Sequence, residues 1–259
     1  MFHPTSIISK EAIIDPSVTV GPYCIINGQV KIGKNTILEN NVVIGCEFGV
    51  VEIGEGNHIY TGAVLGGVPQ DKKYKNEKTK LVIGNNNHIR EYTTLNLGTV
   101  QGGGVTKLGD RNLVMAYAHF GHDCIVGNDN VLANCCQLAG HVTIQDHVTI
   151  GGMSGVSQFA VIGSHAFIAG FSSINKDIVP YCIAQGNFAV VRATNKIGLE
   201  RKGITDKSIT EINKAIRIIT KGEGTVEDRV KRIETECEKC LEIDYFVNFI
   251  KKSERGIAI

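Results

Sequence analysis

A mainly β architecture is what this sequence predicts: short strands stacked into a triangular prism, followed by a small α-helical domain. Three observations carry the expectation. Every sixth residue from Leu108 to Ile174 is large and apolar, twelve consecutive positions without a polar interruption. Glycine is abundant, at 30 of 259 residues, and a small residue usually follows each hit, as at Gly109, Gly121, Gly127, Gly151 and Gly163. Aromatic residues make up only 6% and Trp is absent, which suits thin repeated layers better than one thick core.

A period of six is neither helical nor that of a simple strand. It fits a short strand plus a turn, with one aliphatic side chain per unit pointing inward and a small residue where the chain bends. Three units close a coil of 18 residues, so the three walls are parallel sheets whose strands lie ~4.8 Å apart. Each coil touches only its neighbours, and stability accumulates along the stack. The same register runs from Ile8 to Ile44, slips by three residues to Ile53, Ile59 and Leu65, and resumes at Ile83, Ile89 and Leu95. Two polar or glycine-rich insertions interrupt it, at 67–81 and 96–107. Loops hung from a rigid scaffold commonly carry function.

The prism is expected to occupy residues 1–189 and a helical domain residues 190–259. Ser208 and Glu211 read as a capping box ahead of the stripe Ile209, Ile212, Ile216 and Ile219. Thr225 with Asp228 reads as a second cap, ahead of a stripe running from Val226 through Val230, Ile233 and Cys237 to Leu241. Tyr245, Phe246, Phe249 and Ile250 suggest a third helix. Such a domain can cover the last coil, whose open sheet edges would otherwise invite aggregation.

Composition excludes several classes of function. With 27 Lys+Arg against 26 Asp+Glu and no long basic run, nucleic acid is a poor partner. No apolar run reaches the roughly 18 residues of a membrane span, and the start, MFHPTSIISKEAII, lacks a signal pattern. A cytoplasmic protein is expected. Eight cysteines in a chain of this length need form no disulfides, and Cys237 and Cys240 are a lone CxxC with no second pair for zinc.

Counting by eighteen stacks His122 on Gly140 and Gln158, and Asp123 on His141, with His119 three residues before His122 across a corner. None of these positions is the inward one, so the cluster is expected to be open to solvent or a partner. Histidine is suited to take a proton near neutral pH, and a neighbouring carboxylate sets its tautomer. Gly140 offers a peptide N–H with no side chain in the way, suited to a developing oxyanion. Base, carboxylate and amide donor are the parts for acyl transfer to a hydroxyl. Arg192, Lys196, Arg201, Lys202 and Lys207 form either a local patch for an acidic partner or a solvated surface.

The [LIV]-[GA]-x4 period is the signature of the hexapeptide-repeat acyltransferases. The segments PQDKKY (69–74), REY (90–92), GTVQGGGVTK (98–107), AHFGHDC (118–124), LAGHV (138–142), IGGMS (150–154) and PYCIAQGN (180–187), on to Arg201-Lys202-Gly203, closely resemble one family among them. These are the acyl-carrier-protein-dependent UDP-N-acetylglucosamine O-acyltransferases, which begin lipid A, and so lipopolysaccharide, synthesis. The resemblance runs essentially end to end.

It implies a left-handed parallel β-helix, an exception to the usual right-handed crossover. It implies transfer of an (R)-3-hydroxyacyl group from acyl carrier protein to the 3-hydroxyl of UDP-N-acetylglucosamine in a homotrimer, with active sites between prisms and no separate cofactor or metal. His122 corresponds to the family's general base, Asp123 to its partner and Gly140 to the oxyanion donor. Asp71, Lys73, His119, His141 and Gln158 match positions lining the sugar-nucleotide and acyl site. Asn195, Arg201 and Lys202 match its nucleotide and phosphopantetheine end, and Gly170 a position that gates acyl-chain length. Ser157 and Phe188 depart from the pattern, standing where the family usually has histidine, and Lys202 stands where Arg is common. Two alternatives accompany this reading: N-acylation of the 3-amino sugar-nucleotide analogue, and a zinc hydrolyase using the imidazoles of His119, His122 and His141.

Overall fold

The computed structural model describes residues 1–259. Three sheets of nine, eight and ten strands form the walls of a β-helix, and every pairing between successive coils is parallel. The register is the expected one: His119 lies opposite Gln137, Gln137 opposite Gly155, and Gly155 opposite Ser173. In the nine-stranded wall the inward residues Ile26, Ile44, Leu65, Leu95, Phe120, Leu138, Val156 and Ile174 are at most 3% exposed. Each such burial contributes about 1.5–3 kcal/mol, which is why a one-in-six pattern is enough to hold the coil shut.

The corners have a less familiar chemistry. Most end on a non-glycine residue with positive φ, among them Asp123, His141 and Phe159, each at φ 63°. For an L-residue that conformation costs about 1–2 kcal/mol. It is offset because the N–H of such a residue bonds a carbonyl of the coil before, as His141 to His122 (2.9 Å) and His147 to Asn128 (2.9 Å). Asn57, Asn87, Asn112 and Asn130 stack inside as a ladder, each Oδ1 accepting a backbone N–H from the next coil. The corners therefore repeat with the same pitch as the walls, and side chains at equivalent corner positions line up along an edge.

The structure changes some expected boundaries. Residues 190–194, placed by sequence in the helical tail, belong to the strand Ala189–Thr194, which pairs antiparallel with Cys182–Gly186 at the end of the ten-stranded wall. Helices follow at Lys196–Arg201 (α1), Asp206–Lys221 (α2), Val226–Glu236 (α3) and Leu241–Lys252 (α4). The cap of α2 is Thr205, whose hydroxyl accepts the Ser208 N–H, so Ser208 is the third residue of the helix and not its cap. Thr225 and Asp228 do form a capping box. The Val226–Leu241 stripe is cut short, because α3 stops at Glu236 and the Glu238 N–H is taken by the Glu211 carboxylate at 2.7 Å. Cys237 is buried as expected, but Leu241 starts α4 and is 84% exposed.

The helices are tied to the prism. Tyr245 of α4 hydrogen-bonds Ser164 Oγ (2.9 Å) and Gln145. Buried Asp177 accepts the Val161 N–H and the Ser253 hydroxyl, while its backbone pairs with Gly256 and Ala258.

Candidate active site

One corner of the prism carries the histidine cluster. It joins the nine-stranded wall, through His119–Phe120, to the eight-stranded wall, through Ile125–Val126. Both insertions leave from this same corner in earlier coils, between the strands Val64–Gly67 and Thr79–Ile83 and between Thr94–Asn96 and Val105–Leu108.

At this corner the His122 Nδ1 lies 2.8 Å from Asp123 Oδ2. An ionised carboxylate only accepts, so Nδ1 carries the proton and Nε2 is left with its lone pair free. Gly140 packs against the ring. A Cβ built there would come within 2.6 Å of His122 Cε1 and 2.8 Å of Nε2, so only glycine fits beside the imidazole. The Gly140 N–H makes no hydrogen bond within the chain. His141 stands edge-on to His122, ring centroids 5.0 Å apart, with its Nε2 3.7 Å from Asp123 Oδ2. Burial pushes the pKa of His141 down from its usual value, and Asp123 opposes this only partly. His119 is also pushed down by burial, and its Nδ1 bonds Thr94 Oγ1 at 2.7 Å. Burial thus disfavours the charged form of the two imidazoles that flank the His122–Asp123 pair.

The expectation of an open cluster is corrected here. His122 is 8% and Asp123 4% exposed. The cause is the second insertion, which folds back over the dyad: Thr99 donates its N–H to Asp123 Oδ1 and its hydroxyl to Oδ2, both at 2.7 Å. Sequence reasoning missed Thr99, since an insertion has no register to count. It also passed over Phe159, which stacks on His141 at 4.4 Å and was reachable by adding eighteen to 141. Gln158 occupies its counted place in the column, but is exposed and makes no hydrogen bond to the cluster. Asp71 is close enough for its charge to act on His141, whereas Lys73 is exposed and its N–H merely closes a turn onto Asp71 Oδ1. His122, Asp123 and His141 offer ligand atoms within 4.8 Å of one another and could hold a metal ion. His119 is not in that set, and the Asp123 carboxylate is already engaged by Thr99 and His122.

The remaining candidates lie elsewhere on the prism. Asn195 caps α1 and donates to the His165 carbonyl, at the corner between the eight- and ten-stranded walls. Arg201 and Lys202, at the end of α1, are exposed, and the Lys202 charge acts on Asp129 and His165 at that corner. Gly170 turns the chain from the ten-stranded to the nine-stranded wall. Asn195 and Gly170 thus flank the ten-stranded wall, while His122 sits on the one corner that wall does not share. Phe188, at the tip of the last strand pair, is 61% exposed. Of the basic residues considered for an acidic partner, Lys207 and Lys196 are paired with Glu238 and Glu200.

Stacked six-residue units closed into three parallel walls are the architecture of the hexapeptide-repeat transferases. The bacterial transferase hexapeptide model matches residues 11–46 and 106–140, and the model for domain 2 of UDP-N-acetylglucosamine O-acyltransferase matches residues 177–258. Among solved structures, LpxA from Acinetobacter baumannii is 43% identical over 100% of this chain and 99% of its own, with a TM-score of 0.96. UDP-N-acetylglucosamine O-acyltransferase (LpxA) from Moraxella catarrhalis is 40% identical over 100% and 99%, with a TM-score of 0.95. The Francisella novicida UDP-N-acetylglucosamine acyltransferase is 34% identical over 100% and 94%, with a TM-score of 0.94. The chain belongs to the UDP-N-acetylglucosamine acyltransferase family. No helix is long and apolar enough to cross a membrane.

Proposed function

We propose that this enzyme transfers an (R)-3-hydroxyacyl group from acyl carrier protein to the 3-hydroxyl of UDP-N-acetylglucosamine, the first step of lipid A synthesis, and works in the cytoplasm. The observation that carries the chemistry is the 2.8 Å contact of His122 Nδ1 with Asp123 Oδ2, which directs the Nδ1 proton to the carboxylate and leaves Nε2 without a partner, with an unpartnered Gly140 N–H alongside.

In this mechanism His122 Nε2 takes the proton of the 3-hydroxyl as its oxygen attacks the thioester carbonyl. The tetrahedral oxyanion is met by the Gly140 N–H. Collapse breaks the C–S bond, and the imidazolium returns its proton to the departing phosphopantetheine thiolate, giving the 3-O-acyl sugar nucleotide and the free carrier. The positive charge that His122 gains is stabilised by Asp123. Burial lowers the pKa of His141 and His119, which disfavours a repelling charge on either at that moment. Asp71, Lys73, His119, His141 and Gln158 are assigned to the sugar-nucleotide and acyl side of this site.

Asn195, Arg201, Lys202 and Gly170 lie across the prism from His122, so one chain alone does not gather the whole set. A homotrimer that sets the His122 corner of one prism against the ten-stranded wall of the next would complete three equal sites, in keeping with closed cyclic symmetry. The carrier, an acidic protein, would approach the exposed Arg192, Arg201 and Lys202.

Mass spectrometry of the product, from a mixture of acyl-carrier thioesters with both UDP-N-acetylglucosamine and its 3-amino analogue, tests the reading. A 3-O-acyl product supports it. An amide as the main product overturns the O-transfer assignment, and no product from either nucleotide overturns the activity.

A further inference from the structure

The second insertion ends on the dyad in a way the proposed chemistry leaves unexplained. Asp123 accepts three hydrogen bonds, one from His122 and two from a single residue, Thr99, which is itself 1% exposed. The two Thr99 bonds address different oxygens, so they fix both the position and the plane of the carboxylate. The Thr99 hydroxyl has no freedom to turn away. It accepts the Gly102 N–H at 3.2 Å, which directs its own proton to Asp123 Oδ2. Gly102 lies flat against the carboxylate, where a Cβ would come within 2.0 Å of Asp123 Cγ. From the far end of the insertion Thr106 accepts the Asp123 N–H at 2.8 Å. The loop 96–107 thus holds Asp123 at both carboxylate oxygens and at its backbone N–H, and leaves open the side that faces His122 and His141.

We propose that Thr99 is a positioning residue for acyl transfer, acting through Asp123 to hold His122 as the Nδ1–H tautomer. A carboxylate on a corner residue turns freely about χ2 and in water spreads its hydrogen bonds among many partners. With both oxygens clamped and shielded from solvent, Asp123 Oδ2 keeps one lone pair beside the Thr99 hydroxyl, and Nδ1–H fills it. Shielding also strengthens the His–Asp attraction that stabilises the imidazolium. A loop that merely needed anchoring would need only one of these bonds, and would have no call to bury the carboxylate. The inference rests on the assignment of His122 and Asp123 to acyl transfer.

Steady-state acylation of UDP-N-acetylglucosamine by the full-length protein tests it, with Thr99→Val, Thr99→Ser, Asp123→Ala, the double variant Thr99→Val/Asp123→Ala, and His122→Ala. Thr99→Val should lower kcat roughly 10- to 100-fold with little change in KM, because only the aim of the base is lost. Thr99→Ser keeps the hydroxyl and should restore most of kcat. In the Asp123→Ala background Thr99→Val should cost nothing further, since its route to the base is already gone. Should Thr99→Val melt below the assay temperature, Thr99→Ala carries the same expectation. Imidazole 15N shifts of His122 add a readout that a purely structural role would not move: one tautomer in the native enzyme and a mixture without the hydroxyl. The proposal fails if Thr99→Val keeps native kcat, if serine does not rescue, or if the losses at Thr99 and Asp123 simply multiply. An active His122→Ala would instead bring down the underlying assignment of the base.

Discussion

Gly140 lies against the His122 imidazole so closely that a Cβ would come within 2.6 Å of Cε1 and 2.8 Å of Nε2. The residue that offers the peptide N–H and the residue that offers the base are packed face to face, one coil apart. Gly140→Ala therefore displaces the ring even though alanine suits the backbone, whose φ is not in the left-handed region. The expected result is a kcat lowered by about 10²-fold, with the melting temperature changed by only a few degrees. Native kcat in a folded Gly140→Ala protein would show that the ring need not occupy this place.

Acid sensitivity should trace to the opposite side of the prism. His165 stacks between His147 and Tyr181, at 4.7 and 5.6 Å, and burial pushes its pKa from 6.5 down to about 4. Its folded value is the depressed one. As pH falls below 6.5 the unfolded chain takes up a proton that the folded chain refuses until about pH 4. The stability it contributes is present above pH 6.5 and is lost progressively toward pH 4. Half-buried His119 and His141 act with the same sign. His165→Phe keeps a flat ring, and should flatten the fall of melting temperature across that window. An unchanged slope would mean that His165 is not a group that titrates on unfolding.

The division of the candidate residues between opposite sides of the prism predicts complementation. His122→Ala and an Arg201→Ala/Lys202→Ala variant should each be impaired as pure proteins. Unfolded together and reassembled, they should regain activity, because some hybrid sites then draw both intact parts from different chains. Recovery that never exceeds the sum of the two parents would contradict a site shared between subunits.

Chain length should respond to Gly170. This residue is exposed, and a Cβ there would meet only Gly152 backbone, the carbonyl oxygen at 3.2 Å and the nitrogen at 3.8 Å. Gly170→Met should fold, and should shift the preferred 3-hydroxyacyl thioester to a shorter chain while leaving kcat on the shorter substrate near native. An unaltered preference would remove Gly170 from the acyl pocket.

Much of this was legible in the sequence because a six-residue period is also a ruler. Once Leu108 to Ile174 fixes the pitch, addition places Gly140 on His122 and His141 on Asp123, and the pairing His119–Gln137–Gly155 follows that count. What escaped is what the ruler cannot measure. Thr99 reaches Asp123 from an irregular insertion, so neither its contact nor the burial of the dyad follows from spacing. In the helical domain the apolar stripes were visible, but one stripe crosses the break after Glu236 and says nothing of where the chain turns. Ser208 reads as a cap from sequence, but Thr205, three residues earlier, offers the same hydroxyl and takes the Ser208 N–H. The six-residue α1 is too short to show a period at all.

The proton transfer assigned to His122 is tested most directly by the rate at which His122→Ala protein, its fold verified by circular dichroism, acylates UDP-N-acetylglucosamine from a 3-hydroxyacyl carrier thioester. A loss of about 10²–10⁴-fold in kcat is expected, the usual contribution of a positioned general base. A rate near that of the native enzyme would contradict the account.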